Sequence, residues 1–153
     1  MILEVINRHF TVGQKIPSVY LRVLSDRTAT CHLLNSTGKD TGIVKEKTLT
    51  PEEFERLKAQ LDRPDLRKVK RRYDLTHSVF DSWMEWDISV PHADRLQDIT
   101  VADFSPSPTR GSSQPYPDAL VMVGCSISML RDEVCGDERD YRRSNCEKVL
   151  LGK

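Results

Sequence analysis

The sequence contains no long apolar run and no excess of charge of either sign. No apolar run approaches the ~18–20 residues that a membrane-spanning helix needs, so we predict no transmembrane segment. Lysine plus arginine equals aspartate plus glutamate, 23 against 23, which makes the formal net charge zero. Because a dedicated nucleic-acid-binding protein usually carries excess positive charge to neutralise phosphates, this balance argues against nucleic acid as the partner.

The motifs of common active sites and cofactor sites are also missing. The chain has no glycine-rich phosphate loop, no nucleophile elbow and no His-Glu-x-x-His helix. Its cysteines lack the Cys-x2-Cys spacing that presents two thiolates to a structural zinc ion. We therefore predict no metal, no cofactor and no catalytic residue, and we expect the protein not to be an enzyme.

The cysteines and the first residues bear on the cellular compartment. Cys31, Cys125, Cys135 and Cys146 allow zero, one or two disulfides, and a chain of 153 residues does not require any. The alternatives are ordinary thiols, with Cys125 buried on a helix, or a local bridge between Cys135 and Cys146. Residues 1–6 lack the features of a secretion signal. We expect a cytoplasmic protein if the chain is complete, and a periplasmic or extracellular one if a signal peptide has been removed.

Short stretches of alternating apolar and polar residues, rich in β-branched and aromatic types, predict most of the fold. With a hydrophobic content of 38%, the chain is expected to be globular. Six such stretches occur, at 2–10, 18–24, 28–34, 42–48, 79–90 and 97–104. Consecutive strands of this kind pair antiparallel. We predict a single α+β domain over residues 1–153, with an antiparallel sheet of about five or six strands packed on one face by two helices.

The first helix has the strongest local signal. Thr50 can cap a helix, Pro51 suits the first helical position, and Glu53 completes a capping box with Thr50. Pro64 disfavours helical backbone at the residue before it. The pattern therefore predicts a helix over residues 50–63.

A second helix is predicted over residues 118–135, where apolar residues repeat every three or four positions. The stripe consists of Leu120, Val123, Ile127, Leu130 and Val134. Before this helix, residues 105–117 contain four prolines and four serines, which is typical of an irregular, mobile loop. The charged residues 137–153 form either a short third helix or a tail.

A run of basic residues follows the first helix. It consists of Arg67, Lys68, Lys70, Arg71 and Arg72, preceded by Arg63. Such a run can bind phosphates or other anions. The alternative is a solvated turn whose cations pair with acidic side chains of the predicted strand 79–90.

Acidic and aromatic residues share one face of that strand. Glu85 and Asp87 are two positions apart, so their backbones are separated by about 6.6 Å at ~3.3 Å rise per residue. This separation is similar to that of carboxyl pairs in inverting glycosidases, and Trp83 on the same face could stack on a sugar. The simpler alternative is a solvated sheet face. We treat Trp83, Glu85 and Asp87 as a candidate surface-binding site.

Three segments of the chain have a familiar layout. Pro17-Ser18-Val19-Tyr20 leads a hairpin strand, Ser25-Asp26-Arg27-Thr28 turns the chain, and Leu49-Thr50-Pro51-Glu52-Glu53 starts a helix with a tyrosine after it. Over roughly residues 15–104 this layout resembles small uncharacterised bacterial domains, often exported, in which a hairpin strand leads into a capped helix. The chain departs from that pattern by having no cysteine near Pro17, and Arg27 where a turn glycine is expected. The resemblance implies a fold type and no catalytic residue.

Function is therefore expected to reside in binding. The leading hypothesis is a non-catalytic protein-interaction or structural module whose partner is a protein. The alternative is an anion-binding or nucleic-acid-binding protein that uses the basic cluster 63–72. Salt dependence separates the two hypotheses, because phosphate binding weakens steeply as the salt concentration rises.

Overall fold

The structure is a computed structural model that describes residues 1–11, 18–35, 39–74, 82–111, 114–135 and 143–151. The chain forms two compact units. The sheet unit consists of residues 1–48 and 70–104, and the helical unit consists of residues 49–69 and 105–153. Strands and helices are thus segregated, which confirms the predicted α+β class.

Within the residues that the structure describes, the sheet unit contains seven strands. In chain order they are β1 (Leu3–Thr11), β2 (Ser18–Val23), β3 (Thr28–Leu34), β4 (Asp40–Thr48), β5 (Arg72–Tyr73), β6 (Ser82–Pro91) and β7 (Leu96–Ala102). Their spatial order is β4-β3-β2-β1-β6-β7-β5, and every neighbouring pair is antiparallel except β5 and β7. The first strand of the chain therefore lies in the middle of the sheet, between β2 and β6.

The strand β5 is a feature that the sequence did not predict. Arg72 and Tyr73 pair in parallel with Thr100 and Val101 of β7, and the Thr100 amide also donates a hydrogen bond to the Arg71 carbonyl (2.8 Å). Two residues carry no recognisable alternation, so an edge strand this short leaves no pattern in a sequence. The described part of the sheet therefore has seven strands instead of the expected five or six.

One face of the sheet is apolar, as the alternating pattern predicted. Val5 on β1 lies opposite both Leu21 on β2 and Ile88 on β6, and Ile88 lies opposite Ile99 on β7. All four side chains are at most 2% exposed. Burying one such side chain contributes roughly 1.5–3 kcal/mol. This face is therefore the core of the sheet unit.

The β2–β3 hairpin turns at Arg27, whose φ of 74° lies in the left-handed region that favours glycine. The Asp26 carboxylate accepts a hydrogen bond from the Thr28 amide (2.9 Å), and this bond lowers the pKa of Asp26. The Leu24 amide donates to the Thr28 carbonyl (2.9 Å) and closes the turn. The hairpin thus adopts at Arg27 the backbone conformation that a turn glycine usually supplies.

The helical unit contains α1 (Pro51–Leu61), a 3₁₀ helix (Pro64–Lys68), α2 (Asp118–Cys135) and α3 (Arg143–Leu151). The predicted capping box is present: the Thr50 amide donates to Glu53 Oε2 (3.0 Å), and the Glu53 amide donates to Thr50 Oγ1 (3.1 Å). The predicted bounds of α2 are confirmed. Of the two alternatives for residues 137–153, a tail or a short third helix, the structure has the helix, over Arg143–Leu151. Among the described helices, none combines the length and the apolar character that crossing a membrane demands.

Residues 105–111 and 114–117, the described part of the segment 105–117, form no helix or strand, as predicted, and the side chain of Gln114 binds several of their backbone groups. Gln114 Nε2 donates to the carbonyls of Ser107 (2.9 Å) and Thr109 (3.1 Å). Its Oε1 accepts a hydrogen bond from the Ser107 amide (2.8 Å). These bonds satisfy backbone groups that have no partner in a helix or a strand.

Candidate functional site

Arg63, which precedes the basic run, is held by carboxylates. Arg63 forms a bidentate pair with Asp65 (Nε–Oδ1 3.0 Å, Nη2–Oδ2 2.7 Å) and donates a further hydrogen bond to Asp118 Oδ2 (3.1 Å). Asp118, the first residue of α2, also accepts two hydrogen bonds of 2.6 Å from Arg110. The bonds from Arg110, helped by Arg63, lower the pKa of Asp118, and the bonds from Arg63 lower the pKa of Asp65. The charge of Arg63 is therefore compensated inside the protein.

The positive charge of Arg72 is also compensated by carboxylates, within the sheet unit. Its Nε donates to Asp74 Oδ1 (2.5 Å), and its Nη2 donates to Glu85 Oε1 (3.1 Å). The other members of the run are exposed: Arg67, Lys68, Lys70 and Arg71. Arg63 and Arg72 of the candidate anion-binding residues thus form ion pairs. One of them, Arg72 with Glu85, is a pair between the basic run and the strand 79–90 of the kind that the alternative expected.

The candidate surface-binding residues of β6 are also engaged. The side chain of Glu85 is 12% exposed and faces the Arg72 guanidinium. Asp87 forms an ion pair with Arg8 of β1. The side chain of Trp83 lies outside the described part of the structure. Both carboxylates therefore have cationic partners, and their arrangement serves to pair neighbouring segments of the sheet unit.

A buried tyrosine lies on the polar face of the sheet unit. Tyr20 on β2 is 7% exposed, and its hydroxyl accepts a hydrogen bond from Arg22 Nε (2.7 Å). Burial, followed by the hydrogen bond to Glu4, raises the pKa of Tyr20 to about 12. A phenol with so high a pKa stays protonated at neutral pH and is poorly suited to act as a general base. The Tyr20 hydroxyl is therefore held in its protonated form beside Arg22.

Alkaline pH is expected to destabilise the protein through Tyr20. The phenol titrates at 10.0 in the unfolded chain and at about 12 in the folded one, so its contribution is fully present below pH 10 and is lost as the pH rises towards 12. Between about pH 9 and pH 11 we expect the free energy of unfolding to fall by about 1 kcal/mol more in the wild type than in Tyr20→Phe. Urea unfolding of both proteins measures this difference, and parallel pH profiles would contradict the assignment.

None of the four cysteines is a free thiol. Cys125 of α2 and Cys146 of α3 form a disulfide, with their Cα atoms 5.0 Å apart. The predicted bridge between Cys135 and Cys146 is therefore wrong. Cys135 lies at the end of α2, about 15 Å of helix beyond Cys125. Because α3 returns alongside α2, Cys146 meets the middle of that helix and not its end.

Three helices of the helical unit enclose the candidate binding site. A cavity of about 250 Å³, partly open to solvent, lies between them, and we call it the three-helix groove. Its apolar lining consists of Leu49, Leu57, Met122, Met129, Leu130, Leu150 and Leu151. The lining residues of α1 with its preceding Leu49, and those of α2, both repeat as i, i+4, i+7, i+8 and i+11. This spacing places each set along one face of its helix.

Polar residues surround the apolar lining of the groove. They are Glu53, Arg56, Gln60, Ser126, Glu133 and Glu147. The Ser126 hydroxyl donates to the Met122 carbonyl within α2 (2.8 Å), so it is not held by a base in the way that a nucleophile requires. The arrangement can bind an apolar group among charged neighbours.

The sequence patterns did not identify the three-helix groove. Met122 and Met129 lie outside the apolar stripe that predicted α2, although they are a second apolar set on the same helix. That second set could have indicated a second contact surface on the helix, because a helix that buries only one face needs only one apolar stripe. The packing of α1 and α3 determines which residues lie next to Met122 and Met129, and a local sequence pattern does not predict that packing.

Neither a metal site nor a known relative indicates a function for the described part of the chain. Within the residues that the structure describes, no group of three or more His, Cys, Asp or Glu side chains is placed to hold a metal ion. No protein-family model, no curated protein and no solved structure matches the chain.

Proposed function

We propose that the protein is a non-catalytic interaction module whose three-helix groove binds an apolar helical segment of a protein partner. The observation that carries this proposal is the accessible apolar lining of the groove. Met129 and Leu150 are partly exposed, and Leu151 is 57% exposed. An apolar patch with a polar rim is typical of an interaction site, because water contact with such a patch is unfavourable.

The dimensions of the groove favour a protein segment over a small molecule. Pockets for drug-sized ligands have volumes of about 300–1,000 Å³, whereas the cavity here has about 250 Å³. The lining residues of α2 extend from Met122 to Glu133, which is about 16 Å of helix. A short, elongated groove between helices suits an amphipathic helix that inserts a few apolar side chains from one face.

The methionines of the groove also support recognition of a protein side chain. Met122 and Met129 have unbranched, polarizable side chains that adapt to the shape of an inserted group. Leucines on α1 and α3 supply the opposite walls. The result is a surface that can repack around a partner without breaking hydrogen bonds of its own.

The alternative proposal, anion binding through residues 63–72, has weaker support. Arg63 and Arg72 are held by carboxylates, and a phosphate would have to compete with those ion pairs. The exposed residues Lys68, Lys70 and Arg71 remain as its basis. Steep weakening of polyanion binding with salt, lost when Arg71 and Lys70 are replaced by glutamate, would favour this alternative.

We further propose that the protein works in an oxidising compartment. A buried disulfide between Cys125 and Cys146, in a protein with no free thiol, is typical of exported proteins. This proposal agrees with the resemblance to exported bacterial domains. Purification from the native compartment followed by thiol counting in denaturant tests it, since a cytoplasmic protein would yield reactive thiols.

Methyl NMR of the methionines can test binding in the groove. The chain has four methionines, of which Met122 and Met129 line the groove while Met1 and Met84 do not. We expect an amphipathic peptide of leucine and glutamine, about 18 residues long so that it can form a helix, to shift the methyl signals of Met122 and Met129. Met1 and Met84 serve as internal controls.

A pair of matched variants checks that the peptide occupies the groove. Met129→Gln with Leu151→Gln makes two lining residues polar and is expected to weaken peptide binding by about 10-fold or more, as expected for two lost apolar contacts. Leu96→Gln is the control, because Leu96 is 53% exposed, close to the 57% of Leu151, and lies in the sheet unit. Equal shifts of all four methyl groups, or equal weakening by the control, would refute the proposal.

A further inference from the structure

One polar side chain of the three-helix groove has a buried atom without a partner. Gln60 of α1 lines the groove and is half-buried, and its Oε1 atom is buried. Among the described residues, no group donates a hydrogen bond to this oxygen. A buried acceptor in this state is unfavourable, because it has lost its hydrogen bond to water and gained no bond in return. A partner that hydrogen-bonds to Gln60 would therefore gain affinity that a purely apolar partner lacks.

The place of Gln60 in the groove puts its amide beside an apolar wall. Arg63, just after α1, donates a hydrogen bond to Asp118 at the start of α2 (3.1 Å), so the end of α1 lies beside the start of α2. Gln60 comes three residues before Arg63, and Met122 comes four residues after Asp118. Both therefore lie toward the same end of the groove. A methionine side chain has no hydrogen-bond donor to offer the amide.

The amide of Gln60 can turn toward a bound partner. The last side-chain torsion of a glutamine is only weakly restrained, so its rotation can bring the amide oxygen or the amide nitrogen into the groove. The amide has one acceptor oxygen and two N–H donors. Asparagine has the same groups, so two such amides can form hydrogen bonds in both directions. In coiled coils, a single buried asparagine fixes the register of the paired helices.

From the buried amide and the apolar lining together, we infer that the partner of the groove is a helix whose apolar face contains one asparagine, which hydrogen-bonds to Gln60. The apolar residues flanking that asparagine would pack against the methionines and leucines of the groove. This inference rests on the proposed function and adds to it the residue that sets the register of the partner. The apolar contacts supply affinity, whereas Gln60 selects the position of the partner along the groove, since any other register leaves two buried amides unpaired.

An asparagine scan of a bound peptide tests this inference. The parent is the peptide of leucine and glutamine, about 18 residues long, and each of its leucines is replaced in turn by asparagine. Fluorescence anisotropy measures the affinity of every peptide for the wild type and for Gln60→Met. At one position we expect the replacement to cost about 10-fold less affinity in the wild type than in Gln60→Met, as is usual for residues in contact. At the other positions the cost should be equal for the two proteins.

Two controls separate a hydrogen bond from a change in shape or folding. Methionine has nearly the size of glutamine and no strong hydrogen-bonding group, so the urea midpoint of Gln60→Met is expected to be no lower than that of the wild type. Ala59→Met is the matched variant, because Ala59 is the neighbouring residue of α1, is exposed and does not line the groove. Ala59→Met is expected to retain the preference for asparagine at the same peptide position as the wild type.

The outcomes separate this inference from the proposal on which it rests. If the peptides shift Met122 and Met129 but asparagine costs the same affinity in the wild type and in Gln60→Met at every position, the inference is wrong while the proposed function stands. If no peptide binds, or if sedimentation shows a second copy of the chain occupying the groove, both fail. Loss of the position preference in Ala59→Met would also overturn the inference.

Discussion

Replacing Cys125 and Cys146 together by alanine is expected to lower the free energy of unfolding by about 3 kcal/mol. The two residues are separated by 21 positions, and closing a loop of this length removes about 3 kcal/mol of entropy from the unfolded chain. Single domains are stable by only about 5–15 kcal/mol. Loss of this one bond is therefore expected to remove a large fraction of the total stability.

The structure indicates which part of the protein would respond first. Both sulfurs are fully buried, with Cys125 and Cys146 at 0% exposure, and α3 contains nine residues. An isolated helix shorter than about 12–15 residues is marginal in water. The disulfide to α2 therefore supports the helical state of α3, which supplies Leu150 and Leu151 to the three-helix groove.

Urea unfolding of the double variant, together with hydrogen exchange of α3, measures both effects. We expect faster exchange across residues 143–151 and weaker binding of the leucine peptides. Val149→Ala is the control, because Val149 is 5% exposed on the same helix and its truncation removes packing while the disulfide remains. A double variant no less stable than Val149→Ala would show that α3 holds its place without the bond.

Asn7→Leu is expected to stabilise the protein by about 2 kcal/mol. Asn7 is 1% exposed and lies on the apolar face of β1, opposite Val19 of β2 and Trp86 of β6. Among the described residues, neither its Nδ2 nor its Oδ1 has a hydrogen-bond partner. A buried polar group in this state costs about 1–3 kcal/mol, and leucine has nearly the shape of asparagine without that cost.

The same substitution at Asn145 is the matched control for Asn7→Leu. Asn145 Nδ2 donates a hydrogen bond to the Pro106 carbonyl (2.9 Å), so leucine there removes a bond that exists. We expect Asn145→Leu to lower the free energy of unfolding by about 1 kcal/mol, opposite in sign to Asn7→Leu. Denaturant midpoints of the two variants measure the comparison. Destabilisation by Asn7→Leu would mean that the amide has a partner, such as a buried water.

Several elements could be predicted from the sequence because their signals are local. The capping box joins Thr50 and Glu53, which are three residues apart, and the alternation of β6 and the stripe of α2 repeat within a few positions. These patterns depend on the geometry of a single turn or a single strand. The α+β class, the bounds of α2 and the bounds of α1 to within two residues followed from them.

The candidate site could not be predicted in the same way, since it depends on which elements meet. The ion pair between Arg63 and Asp118 joins residues 55 positions apart, so no local pattern in the sequence could predict it. Because of this pair, Arg63 is compensated and is less available to bind an anion. The two methionines of the groove are visible in the sequence, but their function as a lining follows from the packing of α1 and α3 around α2.

The amino-acid sequence by itself determined where most of the strands and the two longer helices form and which of their faces are apolar, because backbone propensity and side-chain period act over neighbouring residues. Tertiary structure alone decided that Cys146 bonds to Cys125, that Arg72 and Tyr73 become an edge strand, and that three helices leave an apolar groove with a polar rim. Those outcomes depend on distances between residues far apart in the chain, which are set when the elements pack and not before.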